Sequence, residues 1–151
     1  MFYFRQDMLT LQVIAIMDSI WNREGMDLKM MSYNCLATGS QVLINPVKQE
    51  IICFVFQVGM TEVVRNAVTV HQIQKRAGQI AALQLDSSQL YKWIRDNNKD
   101  KLAQAIETFT ASCAGYCVAT FILRIGDRHP DNIMVNEDGQ IFHIDLRLVL
   151  L

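Results

Sequence analysis

Asp138-Gly139 constrains this chain more than any other pair of residues. An Asp-Gly dipeptide between alternating apolar residues is a strong signal for a two-residue β-hairpin turn, because glycine tolerates the positive φ that such turns need. A turn there predicts pairing of residue 137 with 140, 135 with 142, 133 with 144 and 132 with 145. Ile133, Val135, Phe142 and Ile144 then share one apolar face, as alternation along paired strands requires.

The same register sets Asn132 opposite Asp145 at the open end of the hairpin. An amide oxygen and a carboxylate on paired strands can share a hard cation such as Mg²⁺, which prefers oxygen ligands. A polar-ended hairpin with no further role would carry the same two residues. Just upstream, however, Gly126-Asp127-Arg128-His129-Pro130-Asp131-Asn132 places a carboxylate, a guanidinium and an imidazole in succession. Such density of ionisable groups beside a candidate metal pair marks a chemical site.

A chain of 151 residues is one domain, or part of a larger one. With 51% hydrophobic residues and a formal charge of −1, it has the composition of a soluble globular protein. Bulk basicity gives no support to nucleic-acid binding. Cys35, Cys53, Cys113 and Cys117 form no C-x-x-C pair and sit in apolar runs, which predicts buried, reduced thiols. Arg5 and Asp7 interrupt the apolar start, unlike a signal peptide. No uninterrupted apolar run approaches the roughly 18 residues of a membrane span, so membrane contact is expected to be peripheral. Apolar residues at both ends, Met1-Phe2-Tyr3-Phe4 and Leu148-Val149-Leu150-Leu151, suggest a piece of a larger fold.

In chain order, Leu9, Val13, Ile16, Met17 and Ile20 recur at helical spacing over residues 5–21, and the polar residues up to Gly25 close that helix. Leu28 with Met30, and Cys35-Leu36-Ala37, predict short strands around a bend at Tyr33-Asn34. The β-rich run at residues 51–56 predicts another, and so does Met60-Thr61-Glu62-Val63-Val64. Residues 68–74 predict a short helix, and a helix capped by Asp86 or Ser87 follows through Leu90, Trp93 and Ile94. A longer helix carries Leu102, Ile106, Phe109, Cys113, Cys117, Thr120 and Phe121 at helical steps. Its small residues Ala111, Ala114, Gly115 and Ala119 permit close approach by another element. His71 and His143 lack neighbouring ionisable groups in sequence and are read as structural.

A helix, a polar loop and a hairpin in this order, with these residues, resemble the catalytic domain of phosphoinositide 3-kinases, class I enzymes above all. The resemblance runs through most of the chain. Arg5-Gln6-Asp7-Met8-Leu9-Thr10-Leu11-Gln12 is similar to that family's N-lobe helix, and Ser32-Tyr33-Asn34-Cys35-Leu36 to a following strand. Gly59-Met60-Thr61-Glu62-Val63-Val64 is similar to the hinge between lobes, and Ser112-Cys113-Ala114-Gly115-Tyr116-Cys117-Val118-Ala119-Thr120 to the helix before the catalytic loop. The implied fold is α+β: a partial, bilobal kinase domain over residues 1–151. Residues 1–64 would be an incomplete N-lobe and hinge, with an insert at 40–57, and residues 65–151 a helical C-lobe as far as the metal-binding aspartate.

The resemblance implies ATP and Mg²⁺ as cofactors and transfer of the γ-phosphate to the inositol ring 3-hydroxyl of a phosphoinositide. Asn132 and Asp145 match the metal ligands. His129 matches the general base, a task that suits an imidazole. Asp127 matches the loop's acidic member, and Arg128 a residue that makes a structural ion pair. Backbone groups of Glu62 and Val64 match those that hydrogen-bond adenine, while Asp7 and Tyr33 match residues deep in the nucleotide pocket. A cytoplasmic enzyme recruited to membrane surfaces, with a regulatory subunit bound through regions outside this chain, is the implied setting.

Some residues depart from the family pattern. The phosphate-gripping loop and its lysine would precede Arg5, and the activation loop that reads the lipid headgroup would follow residue 151. Asp145-Leu146-Arg147 stands where the family has Asp-Phe-Gly, and Arg124 where it usually has glycine. Residues 40–57 and both termini break the resemblance abruptly. They read as non-native flanks such as translated intron, or the internal segment as a lineage-specific insertion near the hinge. Two other functions fit the same motifs. One is a phosphatidylinositol-kinase-like protein kinase, which shares the Asp-Arg-His-x-x-Asn loop; the other is a non-catalytic binding fragment.

Overall fold

The computed structural model describes residues 3–42, 55–76 and 87–146. Helix α1 (Tyr3–Arg23) leads through an irregular segment, residues 26–34, into a hairpin of β1 (Cys35–Val42) and β2 (Val55–Thr61). Then come β3 (Ala67–Thr69), α2 (Val70–Arg76), α3 (Ser87–Asn97), α4 (Leu102–Ile122), β4 (Ile133–Asn136) and β5 (Ile141–His143). Among the described residues all strand pairing is antiparallel: β1 with β2, and a second sheet in the order β3-β4-β5. The architecture is α+β with two small sheets.

The terminal hairpin forms, but its register is shifted by one residue from the expectation. Ile133 pairs with His143, Met134 with Phe142 and Val135 with Ile141. Asn136 is the reason. Its side-chain Oδ1 accepts the Gln140 N–H at 2.8 Å, its N–H donates to the Gln140 carbonyl at 3.0 Å, and its own carbonyl accepts from Gly139. That closes a three-residue loop with Gly139 at φ +86° in place of a two-residue turn. The slip exchanges faces, as any one-residue shift must. Met134, Phe142 and Ile144 now line a cleft, while Ile133, Ile141 and His143 turn toward α4.

Helix α4 packs by its small face. Ala105, Ser112, Gly115, Tyr116, Ala119 and Thr120 are buried, whereas Ile106, Cys117 and Phe121 of the expected apolar stripe are exposed. Ser112 Oγ accepts the Ile141 N–H at 3.0 Å and donates to the Thr108 carbonyl at 2.8 Å, which ties the helix to β5. A Cβ on Gly115 would overlap the Met30 sulfur, so a larger residue there would have to push the Met30 side chain aside. By length and a mean hydropathy of 1.3, α4 could cross a membrane, although no single apolar run is that long. Here its apolar, small-residue composition serves packing against β5 and residues 28–31.

Helix α1 also buries a different face from the expected one. Thr10, Leu11 and Ile14 are buried and Met17 and Trp21 partly so, while Leu9, Ile16 and Ile20 are exposed. The sequence offers two apolar stripes on this helix, and periodicity alone cannot choose between them. Leu28 and Met30 form no strand. Their segment is anchored instead by Tyr116 Oη, which donates to the Met31 carbonyl, and by Gln140 Nε2, which donates to the Lys29 carbonyl at 2.6 Å. The short strand β3 lies where a helix was expected to begin, and Val68 pairs with Val135.

The β1–β2 ladder continues through residues 40–42 and 55–57, so the ends of the expected insert extend this hairpin. Residues 43–54 and Arg147, together with Cys53, lie outside the described residues. Cys35 and Cys113 are half-buried and Cys117 is exposed, so the expected burial of the thiols holds only in part.

Candidate functional site

A cavity of about 380 Å³ opens between the start of α1, the junction of the irregular segment with β1, the end of β2 and the β4–β5 hairpin. Asp7, Tyr33, Glu62, Val64 and Asp145 line it, all residues singled out in the sequence. Met134, Phe142 and Ile144 supply an apolar wall, and Cys35, Thr61 and Val63 complete the lining. A mostly apolar cleft with a few polar groups is the usual form of a small-molecule site.

Each polar group is held by the fold. Asp7 Oδ1 accepts the Leu146 N–H at 3.1 Å, which fixes α1 against the backbone just beyond Asp145. Asp145 has φ +54°, a conformation that non-glycine residues rarely adopt. Next to it Leu146 is fully buried in the core. Tyr33 is buried and its ring lies 6.2 Å from that of Phe142, tilted by 59°. Burial, then the neighbouring Asp7, push the Tyr33 hydroxyl pKa well up, so it stays protonated.

At the end of β2, Glu62 is fixed to Asn34, a residue that motif reasoning passed over. Glu62 N–H donates to the Asn34 carbonyl at 2.8 Å. Glu62 Oε2 accepts from the Asn34 backbone N–H at 2.9 Å and from Asn34 Nδ2 at 2.8 Å. The contact follows from the strand register, which the sequence did not disclose: Cys35 pairs with Thr61, so Asn34 faces Glu62. Residues 62–64 are not a strand, contrary to expectation, because the ladder stops at Thr61.

The polar loop stands outside the cavity lining. Asn132 N–H donates to the His129 carbonyl at 2.8 Å, and the Asn132 carbonyl accepts from Ile144 N–H at 2.9 Å. Asn132 is therefore paired across from Ile144, one position short of Asp145, and not directly opposite it. His129 is exposed, with Nδ1 3.2 Å from Asp131 Oδ2. His71 is less isolated than its sequence neighbours implied: Nδ1 lies 4.0 Å from Asp131 Oδ1, and its N–H donates to the Pro130 carbonyl at 3.1 Å. The first turn of α2 thus pins the loop. Asp127 is half-buried on the loop. Arg128, expected in an ion pair, makes none within 4.0 Å among the described residues. Its Nε donates instead to the Ile125 carbonyl at 3.3 Å.

Behind the hairpin, His143 stacks on Tyr116 with ring centroids 5.2 Å apart. Burial, reinforced by the nearby Arg128 charge, lowers the His143 pKa from 6.5 to about 4, so the ring is neutral near pH 7. It is a core residue, as its sequence context suggested.

A family model for phosphatidylinositol 3- and 4-kinases matches residues 3–150. The chain belongs to that family. Phosphatidylinositol 3-kinase 1 and phosphatidylinositol 3-kinase 2 of Dictyostelium discoideum are each 46% identical to it over 143 residues, or 93% of the chain. The chain spans only 8% and 7% of the lengths of these two relatives. In this phosphatidylinositol 3- and 4-kinase family chain, the cavity brings Asp7, Tyr33, Glu62, Val64 and Asp145 together. The polar loop leaves α4 through a C-terminal cap in which Arg124 has φ +51°, the conformation that explains the usual glycine there.

Proposed function

We propose that this chain is part of the catalytic domain of a phosphoinositide 3-kinase, a bilobal enzyme that transfers the ATP γ-phosphate to the inositol 3-hydroxyl of a membrane phosphoinositide. The observation that carries this reading is the convergence of Asp7, Tyr33, Glu62, Val64 and Asp145 on one cavity from four separate parts of the sequence. The residues present fit both cofactors. Met134, Phe142 and Ile144 offer an apolar wall to a flat base, and the segment at residues 62–64, beyond the end of the ladder, offers backbone groups to its edge.

Asn132 and Asp145 would hold Mg²⁺ by oxygen, a donor set suited to an ion that takes one or two protein ligands plus phosphate oxygens. When bound, Mg²⁺ would offset phosphate charge. His129 would take the proton of the lipid hydroxyl at Nε2, since Nδ1 faces Asp131. Asp127 and Arg128 would shape the loop, Arg128 by tethering it to Ile125. The setting would be cytoplasmic, at a membrane surface, with a regulatory subunit engaging other regions.

The full-length protein, given Mg-ATP and vesicles containing phosphatidylinositol and its phosphates, is expected to yield 3-phosphorylated lipid. Asp145→Ala and His129→Ala should each abolish it. Transfer to a protein substrate with the lipid untouched would instead favour the protein-kinase reading, which the shared Asp-Arg-His-x-x-Asn loop supports. The 151-residue chain alone, without the phosphate-gripping loop and lysine, should be at least about a hundredfold less active, because much of the rate acceleration comes from electrostatic stabilisation of the transferring group.

A further inference from the structure

In an antiparallel pair whose residues face each other with hydrogen bonds, each residue gives its N–H to the other's carbonyl. Asn34 and Glu62 continue the register set by Cys35 and Thr61 and are such a pair. Half of the exchange is made: Glu62 N–H donates to the Asn34 carbonyl at 2.8 Å. The other half is diverted. The Asn34 N–H donates at 2.9 Å to Glu62 Oε2, the side chain's own oxygen, instead of to the Glu62 carbonyl. Asn34 Nδ2 donates to the same oxygen at 2.8 Å and holds the carboxylate in place. The ladder therefore ends one residue early, at the cavity that Glu62 helps to line.

We propose that the Glu62 carboxylate, locked by Asn34, substitutes for Glu62's own carbonyl as partner of the Asn34 N–H. The carbonyl is thereby left to accept from the exocyclic amino group of an aminopurine in the cavity. This extends the nucleotide reading above from backbone groups alone to a side-chain device that keeps one of them unpaired. Glu62 and Asn34 are positioning residues: neither side chain need touch the base. Without the carboxylate, the Asn34 N–H would turn to the nearest acceptor in register, the Glu62 carbonyl, and the ladder would close over the group that reads the ligand.

Two measurements on the full chain test this. Through-hydrogen-bond couplings in isotopically labelled protein should link the Asn34 amide to the Glu62 side-chain carboxyl carbon. In Glu62→Ala the coupling should move to the backbone carbonyl of residue 62. A wild-type coupling to the backbone carbonyl would overturn the proposal whatever the ligand. Binding of adenosine and inosine, followed by amide shifts, gives the second readout. Inosine lacks the amino donor, so wild type should prefer adenosine. Glu62→Ala should bind adenosine about tenfold more weakly, the value of roughly one hydrogen bond, and lose the preference. Glu62→Gln, whose amide oxygen can still accept from Asn34, should stay close to wild type. An unchanged preference in a Glu62→Ala protein with native amide dispersion would defeat the proposal. Wild type that binds neither nucleoside would defeat the nucleotide reading itself, while the coupling still decides whether the clamp exists.

Discussion

The two walls of the cavity are built on different principles. The β4–β5 wall is covered on both faces: Phe142 is fully buried on the cleft side, while Ile141 and His143 lie behind it against Tyr116 and α4. Across the cleft, the end of β2 and residues 62–64 have little burial. Met60 is 62% exposed and Val63 84%, and position is fixed by directional bonds between Asn34 and Glu62. Packing gives a stiff wall on which Asp145 can be held in an unfavourable conformation. Hydrogen bonds at a solvent edge give a wall that is accurate in direction yet easily opened.

The contrast is broken most severely by truncating matched apolar residues. Phe142→Ala should destabilise the chain by about 3–5 kcal/mol, the range for deleting a buried aromatic ring, because a cavity would be left between Tyr33 and α4's partners. Val63→Ala, on the other wall, should change stability by no more than about 0.5 kcal/mol. Denaturant unfolding of both variants measures the difference. Similar losses would mean that the wall at residues 60–64 is packed after all.

Acid should separate the walls next. The His143 pKa is lowered from 6.5 in the unfolded chain to about 4 in the folded one, so the folded state disfavours the proton. The stability that depends on a neutral ring is complete above pH 6.5 and is lost as pH falls toward 4. The full effect is roughly 3 kcal/mol, since each tenfold change in proton affinity is worth about 1.4 kcal/mol. His143→Gln should be less stable at neutral pH but should lose less on acidification, and subtracting the two unfolding profiles removes the carboxylates common to both. Parallel profiles between pH 7 and 4 would show that His143 is not the group that titrates.

How far the sequence disclosed this molecule follows the same division. Asp7, Tyr33, Glu62, Val64 and Asp145 were each identifiable from motif resemblance, and all five meet in the cavity. Packing was harder to read. In α1 and α4 several helical faces are apolar, so spacing could not tell that Leu11 and Ile14, and not Leu9 and Ile16, face inward. In α4 the decisive face is made of small and polar residues, Ser112 and Gly115 among them, whose value lies in what they allow to approach. The hairpin register turned on one side chain, Asn136, able to mimic a backbone acceptor. Glu62 does the same at the other wall. Side chains that stand in for the backbone are invisible to hydrophobic periodicity, since they alter where a ladder ends and not which residues are apolar.

The smallest effect concerns how each wall is joined to its long helix. Helices α1 and α4 end in the same motif. Met26 N–H donates to the Trp21 carbonyl and Gly25 N–H to Asn22; Ile125 N–H donates to the Thr120 carbonyl and Arg124 N–H to Phe121. Both patterns need a left-handed residue at the turn, and it is Gly25 at φ +81° in α1 but Arg124 at φ +51° in α4. A side chain in that conformation costs about 1 kcal/mol. Arg124→Gly should therefore stabilise the chain by up to about 1 kcal/mol. Gly25→Ala, at a site where an added Cβ meets nothing within 4 Å, should lose a similar amount through backbone strain alone. If the two caps act independently, the double variant should return close to wild type in a thermal melt. If Arg124→Gly instead destabilises, the exposed arginine holds the start of the polar loop by contacts that outweigh its strain, and the stiff wall depends at its entrance on polar anchoring of the kind that fixes Glu62 to Asn34.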